Sequence, residues 1–535
     1  MSKAKTLKNK VLLYNAKIYT QFDNQVVSSM ALDKRLIVAI GDNLQQDPRF
    51  RNFSKINMKK KTIVPGFVDA HTHFHYFAQS FCKVSLDSLD SLEKCLSKIN
   101  TFAAGLKKDE WVVGEGYSVD FFKKRIEPDK FMLDKVSGGR PAIIFTKDQH
   151  TAWVNSKALQ LASINSKTKD PAGGRIEKLN DGTLSGILRE PAAYSSVSDL
   201  LPEPATSQMN RFYQKALDWA YQKGVTGVHS FDGNSLAFKW YQQMSEKKKL
   251  GLRINYYFQA SALPTLLKNN IRYGQGDEFL RIAGIKIFSD GALGSKTALC
   301  YEKYKGSKNN YGIEVCSTKQ MLTSVKQAAR LGLPAAIHAI GDKAISNVLD
   351  VFEKAPELKN GARHRIEHYQ LVKRKDVDRT KRLNLIASMQ PSHCPSDIKM
   401  IRNYWGKRGA NAFIFRTLID KGIDIAFGSD VPIEPLDPIA GIAAAVRRAR
   451  PNSLDIFYPN QRISALEALN RFTFGPAIAV GQQDCRGMLA PGYPADFVVL
   501  SDDIARVPAS KIYDIKVLAT ILDGDIKYCH SSLKL

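Results

Sequence analysis

Short apolar runs separated by polar and turn residues mark both ends of the chain. Near the start they cover residues 11–14, 17–20 and 36–40, with Gly, Asp and Asn between them. Near the end the pattern returns at residues 495–500 and 517–522. Alternating apolar and polar positions with such punctuation are typical of β-hairpins. We therefore predict two β segments that combine into one small sheet domain built from both termini.

Between these segments, short apolar strands alternate with longer helical stretches, for instance at residues 208–223 and 317–331. This order predicts βα units arranged around a parallel sheet. The eight candidate strands end near Asp69 to His73, His229 to Ser230, Gln259, Lys286, His338, His368, Gln390 and Asp430. Because a TIM barrel typically needs about 250 residues, eight repeats spread over roughly 400 residues predict a barrel with insertions.

The predicted fold class is α/β: a TIM (β/α)8 barrel with a composite β-sandwich domain from both termini and an insertion after the first barrel strand. Residues 1–65 and 470–535 are assigned to the composite domain, and residues 66–469 to the barrel. The extra length lies mainly at residues 80–205, which carry their own apolar and aromatic side chains. We expect this interval to form a subdomain over the barrel mouth.

Polar residues stand where the predicted barrel strands end, which is where TIM-barrel enzymes carry their catalytic groups. The first strand, predicted over residues 63–70, runs into His71 and His73, and alternate residues of a strand face the same way. Four later strands end at Lys286, His338, His368 and Asp430. A single buried histidine is more often structural than functional. Four histidines and an aspartate at one end of a barrel predict a metal site, since imidazole and carboxylate bind zinc, iron and manganese.

Composition and charge change this picture little. The chain has 535 residues, of which 44% are hydrophobic and 24% charged, and this excludes a mainly disordered chain, a collagen and a coiled-coil rod. Lys and Arg number 78 against 52 Asp and Glu, a net charge of +26 that makes nucleic acid or anionic membrane a partner to consider. The basic runs are short and scattered, and no nucleic-acid motif accompanies them. We therefore expect no specific nucleic-acid partner.

Localisation is indicated by what the sequence lacks. No run of 18 apolar residues is present, so we expect no membrane insertion. The basic N-terminal segment has no sustained apolar core of the kind found in a secretory signal. The seven cysteines form no Cys-x-x-Cys pair, and their odd number suggests free thiols in a reducing compartment. We expect a cytoplasmic protein.

The ordered set of motifs resembles the amidohydrolase superfamily. It comprises VPGFVDAHTHFH at residues 64–75, the strand-ending lysine and histidines, GSD at residues 428–430, and GMLAPG at residues 487–492. The run GILRE at residues 186–190 and KIFSDGALGS at residues 286–295 look like the long branch of that superfamily. This branch, amidohydrolase family 3, includes N-substituted formamide deformylase.

The resemblance implies a metal site with one or two divalent ions, and zinc is favoured. The implied ligands are His71, His73, Lys286, His338, His368 and Asp430. The first two histidines and the aspartate would hold one ion, and the later two histidines a second. The lysine would bridge both ions after reacting with carbon dioxide, because the resulting carbamate is an anion with two oxygens. Glu190 is a weaker rival as a carboxylate ligand.

The implied reaction is hydrolysis of a non-peptide C–N bond, in an amide, formamide or cyclic amide of small size. Metal ions lower the pKa of water and supply hydroxide near neutral pH, and Asp430 would act as general base and then acid. Tentative substrate-binding residues are His150, Glu190, His229 and Asp290. A deaminase of the same superfamily is the nearer alternative, and a catalytically degenerate regulatory protein with a basic surface is the more distant one. Assembly as a homodimer is open.

Overall fold

The computed structural model describes residues 10–87, 89–108, 110–119, 122–147, 149, 151–171, 174–202, 206–233 and 235–535. Contacts within it define two compact units, Met1–His75 with Leu217–Leu535, and Tyr76–Ala216. Each unit contains its own sheets and its own buried apolar clusters, and the two are described separately below.

The strands follow one another along the chain as β1 (Lys10–Tyr14), β2 (Lys17–Tyr19), β3 (Val26–Val27), β4 (Ser29–Asp33), β5 (Leu36–Gly41), β6 (Ser54–Asn57), β7 (Thr62–Pro65), β8 (Phe67–Thr72), β9 (Val84–Ser85), β10 (Val112–Tyr117), β11 (Ala142–Thr146), β12 (Thr151–Val154), β13 (Arg175–Lys178), β14 (Leu184–Arg189), β15 (Val225–Gly233), β16 (Arg253–Gln259), β17 (Leu280–Phe288), β18 (Ala335–Ala339), β19 (Arg365–His368), β20 (Ile386–Met389), β21 (Ile425–Phe427), β22 (Phe497–Leu500), β23 (Val517–Leu522) and β24 (Asp525–Cys529).

The α-helices are α1 (Phe74–Ser80), α2 (Leu92–Ala104), α3 (Lys130–Val136), α4 (Ser156–Leu161), α5 (Pro191–Ser198), α6 (Thr206–Gln222), α7 (Ser235–Glu246), α8 (Leu263–Lys268), α9 (Thr318–Ala329), α10 (Asp342–Glu353), α11 (Arg374–Arg382), α12 (His393–Tyr404), α13 (Phe415–Asp420), α14 (Pro438–Arg447), α15 (Ala465–Arg471) and α16 (Phe474–Ala479). Among these helices, within the ranges given above, none is long and apolar enough to cross a membrane.

The first unit is built around an eight-stranded parallel sheet. Its strand order is β8-β15-β16-β17-β18-β19-β20-β21, so every strand lies beside its neighbour in chain order. The sheet nearly closes, because Thr72 at the end of β8 forms a parallel bridge with Val431 just past β21. The backbone N–H of Asp430 donates to the carbonyl of His71 at 2.8 Å across this seam. The predicted α/β barrel is confirmed.

One strand boundary was wrong. Residues 63–70 were expected to form a single barrel strand, but β7 ends at Pro65 and β8 begins at Phe67. Gly66 separates them, and its N–H donates to the carbonyl of Asp496 at 2.9 Å. A Cβ at Gly66 would lie 2.4 Å from Oγ1 of Thr226, so only glycine fits where the chain passes from one sheet to the next.

Strands from both ends of the chain share one sheet in the first unit. Its order is β3-β2-β7-β22-β23-β24, and β7 pairs antiparallel with β22. A second, four-stranded sheet has the order β5-β4-β1-β6. One buried apolar cluster contains Val11, Ile18, Phe497 and Ile521, side chains that come from both termini. The boundaries proposed for the composite domain stay predictions.

The second unit has a six-stranded sheet of order β13-β14-β12-β11-β10-β9. Alternate side chains of its central strands enter two apolar clusters, with Ile144 and Trp153 in one and Ile143 and Val154 in the other. Both faces of this sheet are therefore covered, which accounts for the apolar content of this stretch of sequence. The limits at residues 80 and 205, and its placement over the barrel mouth, stay predictions.

We expect His364, which precedes β19, to contribute to the loss of folding stability at acidic pH. Its Nδ1 accepts a hydrogen bond from the N–H of Ala335 at 3.0 Å, and its ring stacks on Phe352. Burial lowers the pKa of His364 to about 4. The unfolded chain, with a pKa near 6.5, binds this proton first, so stability is lost as the pH falls below about 6.5.

We expect His364→Asn, which keeps a hydrogen-bond acceptor, to remove about 2 kcal/mol of the stability change between pH 7 and pH 5. Denaturant unfolding of the wild type and the variant at both pH values measures this difference. An identical pH dependence in the two proteins would contradict the assignment.

Candidate metal centre

His71 and His73 lie where β8 ends, and both approach the carboxylate of Asp430. Nε2 of His71 lies 3.5 Å and Nε2 of His73 lies 3.4 Å from Oδ1 of Asp430. Ligand atoms that surround one tetrahedral zinc at about 2.0–2.1 Å are roughly 3.4 Å apart. The three groups therefore have the donor types and the mutual spacing that a single divalent ion requires.

His338 and His368 bring two more imidazoles to the same end of the barrel. Their ring centroids are 4.5 Å apart, and that of His368 is 5.0 Å from that of His71. Ligand atoms of His71, His368 and Asp430 lie within 4.8 Å of one another. The structure thus gathers ends of β8, β18, β19 and β21 into one cluster, as the strand pattern predicted.

Hydrogen bonds fix which nitrogen of each later histidine can bind a metal. Nε2 of His338 donates to the carbonyl of Gly291 at 3.0 Å, and this leaves the lone pair on Nδ1. Nδ1 of His368 donates to Oε1 of Gln390 at 2.9 Å, and this leaves the lone pair on Nε2. A metal-binding histidine characteristically donates its other N–H to such an acceptor.

Lys286 of β17 is buried inside the cluster. Its Nζ lies 3.5 Å from Nε2 of His71, over the rings of Phe231 and Phe288 at 4.8 and 4.9 Å. Burial lowers the pKa of Lys286 to about 8. Among the described residues, the ion-pair contact of Asp290 is with Nε2 of His338, at 3.5 Å, and not with Lys286.

The ionisation states suit a metal centre. Burial lowers the pKa of His71 to about 4 and that of His338 to about 3, so both are neutral at physiological pH. Burial alone would raise the pKa of Asp430, but His71, His73 and His368 hold it well below its usual range. Neutral imidazole and ionised carboxylate are the forms that bind metal ions.

Two buried charges in β19 support the centre and were missed from the sequence. Oε2 of Glu367 accepts a hydrogen bond from Nδ1 of His71 at 2.5 Å. Arg365 bonds both carboxylate oxygens of Glu367, through Nε and Nη2. Neither side chain is exposed. The signal was available, because two charged residues in a buried four-residue strand are uncommon without a paired or functional role.

Asp69 fastens the loop that carries Asp430. Its carboxylate accepts the N–H of Ser429 at 2.9 and 3.0 Å and the N–H of His71 at 3.1 Å. Burial raises the pKa of Asp69 to about 7. A Cβ at Gly428 would lie 2.4 Å from the backbone nitrogen of His71, which explains the glycine in the GSD motif.

Two of the tentative substrate-binding residues, His229 and Asp290, are buried and hydrogen-bonded to other parts of the protein. His229 is buried, and its Nδ1 accepts a hydrogen bond from Nη1 of Arg365 at 2.9 Å. Asp290 is buried and accepts backbone N–H bonds from Leu299, Ile340 and Gly341. The contact of His229 stabilises Arg365 inside the barrel, and the contacts of Asp290 stabilise the backbone of the segments that contain Leu299 and Gly341. The substrate-binding roles of His229 and Asp290 stay predictions.

The roles of two further predicted residues, Glu190 and His150, stay predictions. Glu190 belongs to the second unit, where it immediately precedes helix α5. His150 lies outside the described residues. His393, at the start of α12, also approaches the cluster, since its Nε2 is 3.7 Å from Oδ2 of Asp430.

Glu367→Gln is expected to weaken metal binding by about 10- to 100-fold. One amide N–H₂ must then face either the N–H of His71 or the guanidinium of Arg365, both of which are donors. Metal affinity is measured by competition with a chromophoric chelator. Asp376→Asn is the matched control, because Asp376 is equally buried and bonds Ser346 and Arg379 outside the cluster. Equal metal affinities in the two variants would exclude a supporting role for Glu367.

An eight-stranded barrel with four histidines, a lysine and an aspartate at one end defines a metal-dependent hydrolase. A model of the "Amidohydrolase family" matches residues 55–528, so the chain belongs to that family. It is 31% identical over 486 residues to YtcJ of Bacillus subtilis, with 89% of this chain and 90% of that one covered.

Two other comparisons agree. The chain is 25% identical over 492 residues to an N-substituted formamide deformylase of Arthrobacter pascens, covering 88% of this chain and 89% of that one. A metal-dependent hydrolase of Pyrococcus furiosus, described as uncharacterized, has a TM-score of 0.77 and 29% identity, with 93% of this chain and 100% of that one covered. The class implies a divalent metal as the cofactor.

Proposed function

We propose that the chain hydrolyses a C–N bond other than a peptide bond, in a small amide, formamide or cyclic amide. The observation that carries this proposal is the position of Asp430, whose Oδ1 is nearly equidistant from Nε2 of His71 and of His73. A carboxylate at this point can both hold a metal and move a proton. The similarity to a formamide deformylase supports the choice of bond.

His71, His73 and Asp430 would hold one ion, which we propose to be zinc. His338, through Nδ1, and His368, through Nε2, would hold a second. A bound divalent ion supplies Lewis acidity, which lowers the pKa of water and polarises a carbonyl oxygen. Donor type, spacing and tautomers support the fit of these residues to a metal. In His71, His338 and His368, one ring nitrogen donates its N–H to an oxygen acceptor, and this leaves a lone pair on the other nitrogen.

Asp430 is the proposed general base and acid. It is ionised, it lies within the histidine cluster, and its other oxygen is near Nε2 of His393. It would take a proton from the attacking water and deliver it to the leaving nitrogen, which departs as an amine. The backbone of Ser429 and the carboxylate of Asp69 hold the loop in place for both transfers.

Lys286 separates this proposal from its nearest alternative, a deaminase. Deaminases of the superfamily mostly use one metal and lack this lysine. We propose that Lys286 is carboxylated and bridges two ions, which is supported by its burial and by its 3.5 Å distance from His71. An unmodified lysine with a single ion would instead favour deamination.

Lys286→Ala is expected to reduce the metal content from two ions per chain to one, because the bridging group is lost. A short carboxylate such as propionate should partly restore activity by occupying the space left by the side chain. Elemental analysis of the purified variant and activity with added propionate measure both effects. Two ions retained by the variant would contradict the bridging role.

A substrate screen tests the reaction class. N-formyl amines, N-acyl amines and cyclic amides are incubated with the metal-loaded enzyme, and released carboxylate and amine are measured. Aminated heterocycles are included, with ammonia as the readout. Metal-dependent release of carboxylate supports the proposal. Ammonia release from the heterocycles alone would favour the deaminase, and His71→Ala serves as the control for contaminating activity.

A further inference from the structure

A cavity lies at the N-terminal ends of the barrel strands, opposite the end that carries His71 and His73. Its walls come from the starts of β8, β15 and β16 and from the tail between residues 476 and 496. It has a volume of about 40 Å³. A water molecule needs about 10–15 Å³ on this measure, so the space suits about three or four non-hydrogen atoms.

Buried polar atoms without a hydrogen-bond partner among the described residues occur on three residues that line this cavity. They are Nε2 of His229, Oδ1 of Asn255 and Nε of Arg486. His229 is 0% and Asn255 is 7% exposed. Since buried polar groups are nearly always satisfied, three such atoms around one cavity indicate a molecule or ion that provides the missing contacts.

His229 presents a donor to the cavity. Arg365 can only donate hydrogen bonds, so Nδ1 of His229 must accept the bond from Nη1 of Arg365. The neutral ring therefore carries its proton on Nε2, the nitrogen of this cavity-lining residue that has no partner in the described part of the chain. Burial lowers the pKa of His229 well below its ordinary value, which keeps the ring in this neutral form.

Arg486 presents a second donor, and its charge has no bonded carboxylate among the described residues. Asp496 also lines the cavity, but both of its oxygens are occupied. Oδ2 accepts from Nε of Arg253 at 2.8 Å, and Oδ1 accepts from the N–H of Asp523 at 2.7 Å and from Nη2 of Arg253. Burial, and then the nearby charge of Arg253, lower the pKa of Arg486, although the charges of Asp496 and Glu278 act in the opposite direction.

We propose that this cavity binds a small oxyanion of three or four non-hydrogen atoms, such as formate or hydrogen carbonate. Arg486 and His229 donate to its oxygens. Oδ1 of Asn255 accepts a hydrogen bond from the hydroxyl group of hydrogen carbonate, whereas for formate the amide rotates and Nδ2 donates. Water alone could satisfy the same atoms, but it would leave the guanidinium of Arg486 without a directly bonded anion.

The site is distinct from the metal centre but linked to it. The same Arg365 that bonds His229 also bonds Glu367, which accepts the N–H of His71. A ligand that fixes His229 therefore also fixes the arginine behind the first metal ligand. The inference itself does not depend on the reaction proposed above.

The test is thermal unfolding of the metal-loaded enzyme in sodium formate, compared with sodium chloride at the same ionic strength. We expect formate to raise the melting temperature saturably, by about 1–2 °C. Arg486→Gln should lose at least half of this rise. Arg471→Gln is the matched control and should keep it, because Arg471 also has a buried Nε without a partner but does not line the cavity.

Formate bound only at the metal centre would stabilise all three proteins equally, and this result would overturn the proposal. Equal effects of formate and chloride in the wild type would overturn it as well. Asn255→Asp provides a second, independent variant if Arg486→Gln fails to fold. This substitution places a carboxylate in the cavity wall, which should abolish the formate-specific rise in melting temperature. A rise as large as that of the wild type would count against the site.

Discussion

Asp430→Asn should lower kcat by about 10²- to 10⁴-fold, the range that a positioned general base and acid contributes. The amide has the shape of the carboxylate and can still contact a metal through its oxygen, but it cannot accept the proton of the attacking water. Because the loop is held by Asp69 through backbone N–H groups, the substitution should leave the fold intact. Steady-state kinetics on the best substrate of the screen measure the effect.

The matched control is Asp424→Asn, because Asp424 immediately precedes β21 whereas Asp430 follows it. Asp424 pairs with Arg363 at 2.6 Å at the opposite end of β21. It should change kcat less than about twofold, since surface ion pairs contribute little. Metal content must be measured in both variants. If Asp430→Asn retained its metal and full activity, Asp430 would not be the proton carrier.

Removal of the metal should reduce hydrolysis to background. The ligands would remain in place, but without the ion no Lewis acid would lower the pKa of water or polarise the carbonyl oxygen. Dialysis against a chelator followed by addition of zinc, manganese or iron measures the loss and its reversal. The melting temperature should fall together with activity, since an ion that binds only the folded state stabilises it.

Recovery with one of these ions and not with others would also identify the preferred metal. Asp376→Asn, which alters a buried carboxylate outside the cluster, should respond to the chelator as the wild type does. Full activity in metal-free protein would contradict a metal-dependent mechanism.

The sequence predicted the barrel and the cluster because both depend on strand periodicity. Side chains alternate along β8, so His71 and His73 had to face one site, and parallel strands bring their carboxyl ends together. The strand ends differ from the predicted positions by at most three residues, and β15 runs three residues past Ser230 to Gly233. Small errors of this kind do not move the ligands to another face.

Other features depend on contacts between distant segments. The break at Gly66 follows from the position of Thr226, and no local pattern marks it. Glu367 gains its role from His71, which is 296 residues away in the chain, and Arg365 acts through Glu367. The cavity behind His229 needs the tail to lie against the strand starts. Such long-range packing is visible only after the chain has folded.

The central claim is that the ends of β8, β18, β19 and β21 hold a divalent metal. Its most direct test is elemental analysis of purified wild type and His71→Ala, with far-ultraviolet circular dichroism to confirm that both are folded. The account predicts at least one tightly bound divalent ion per wild-type chain and a marked loss in the variant. An unchanged metal content in folded His71→Ala protein would contradict it.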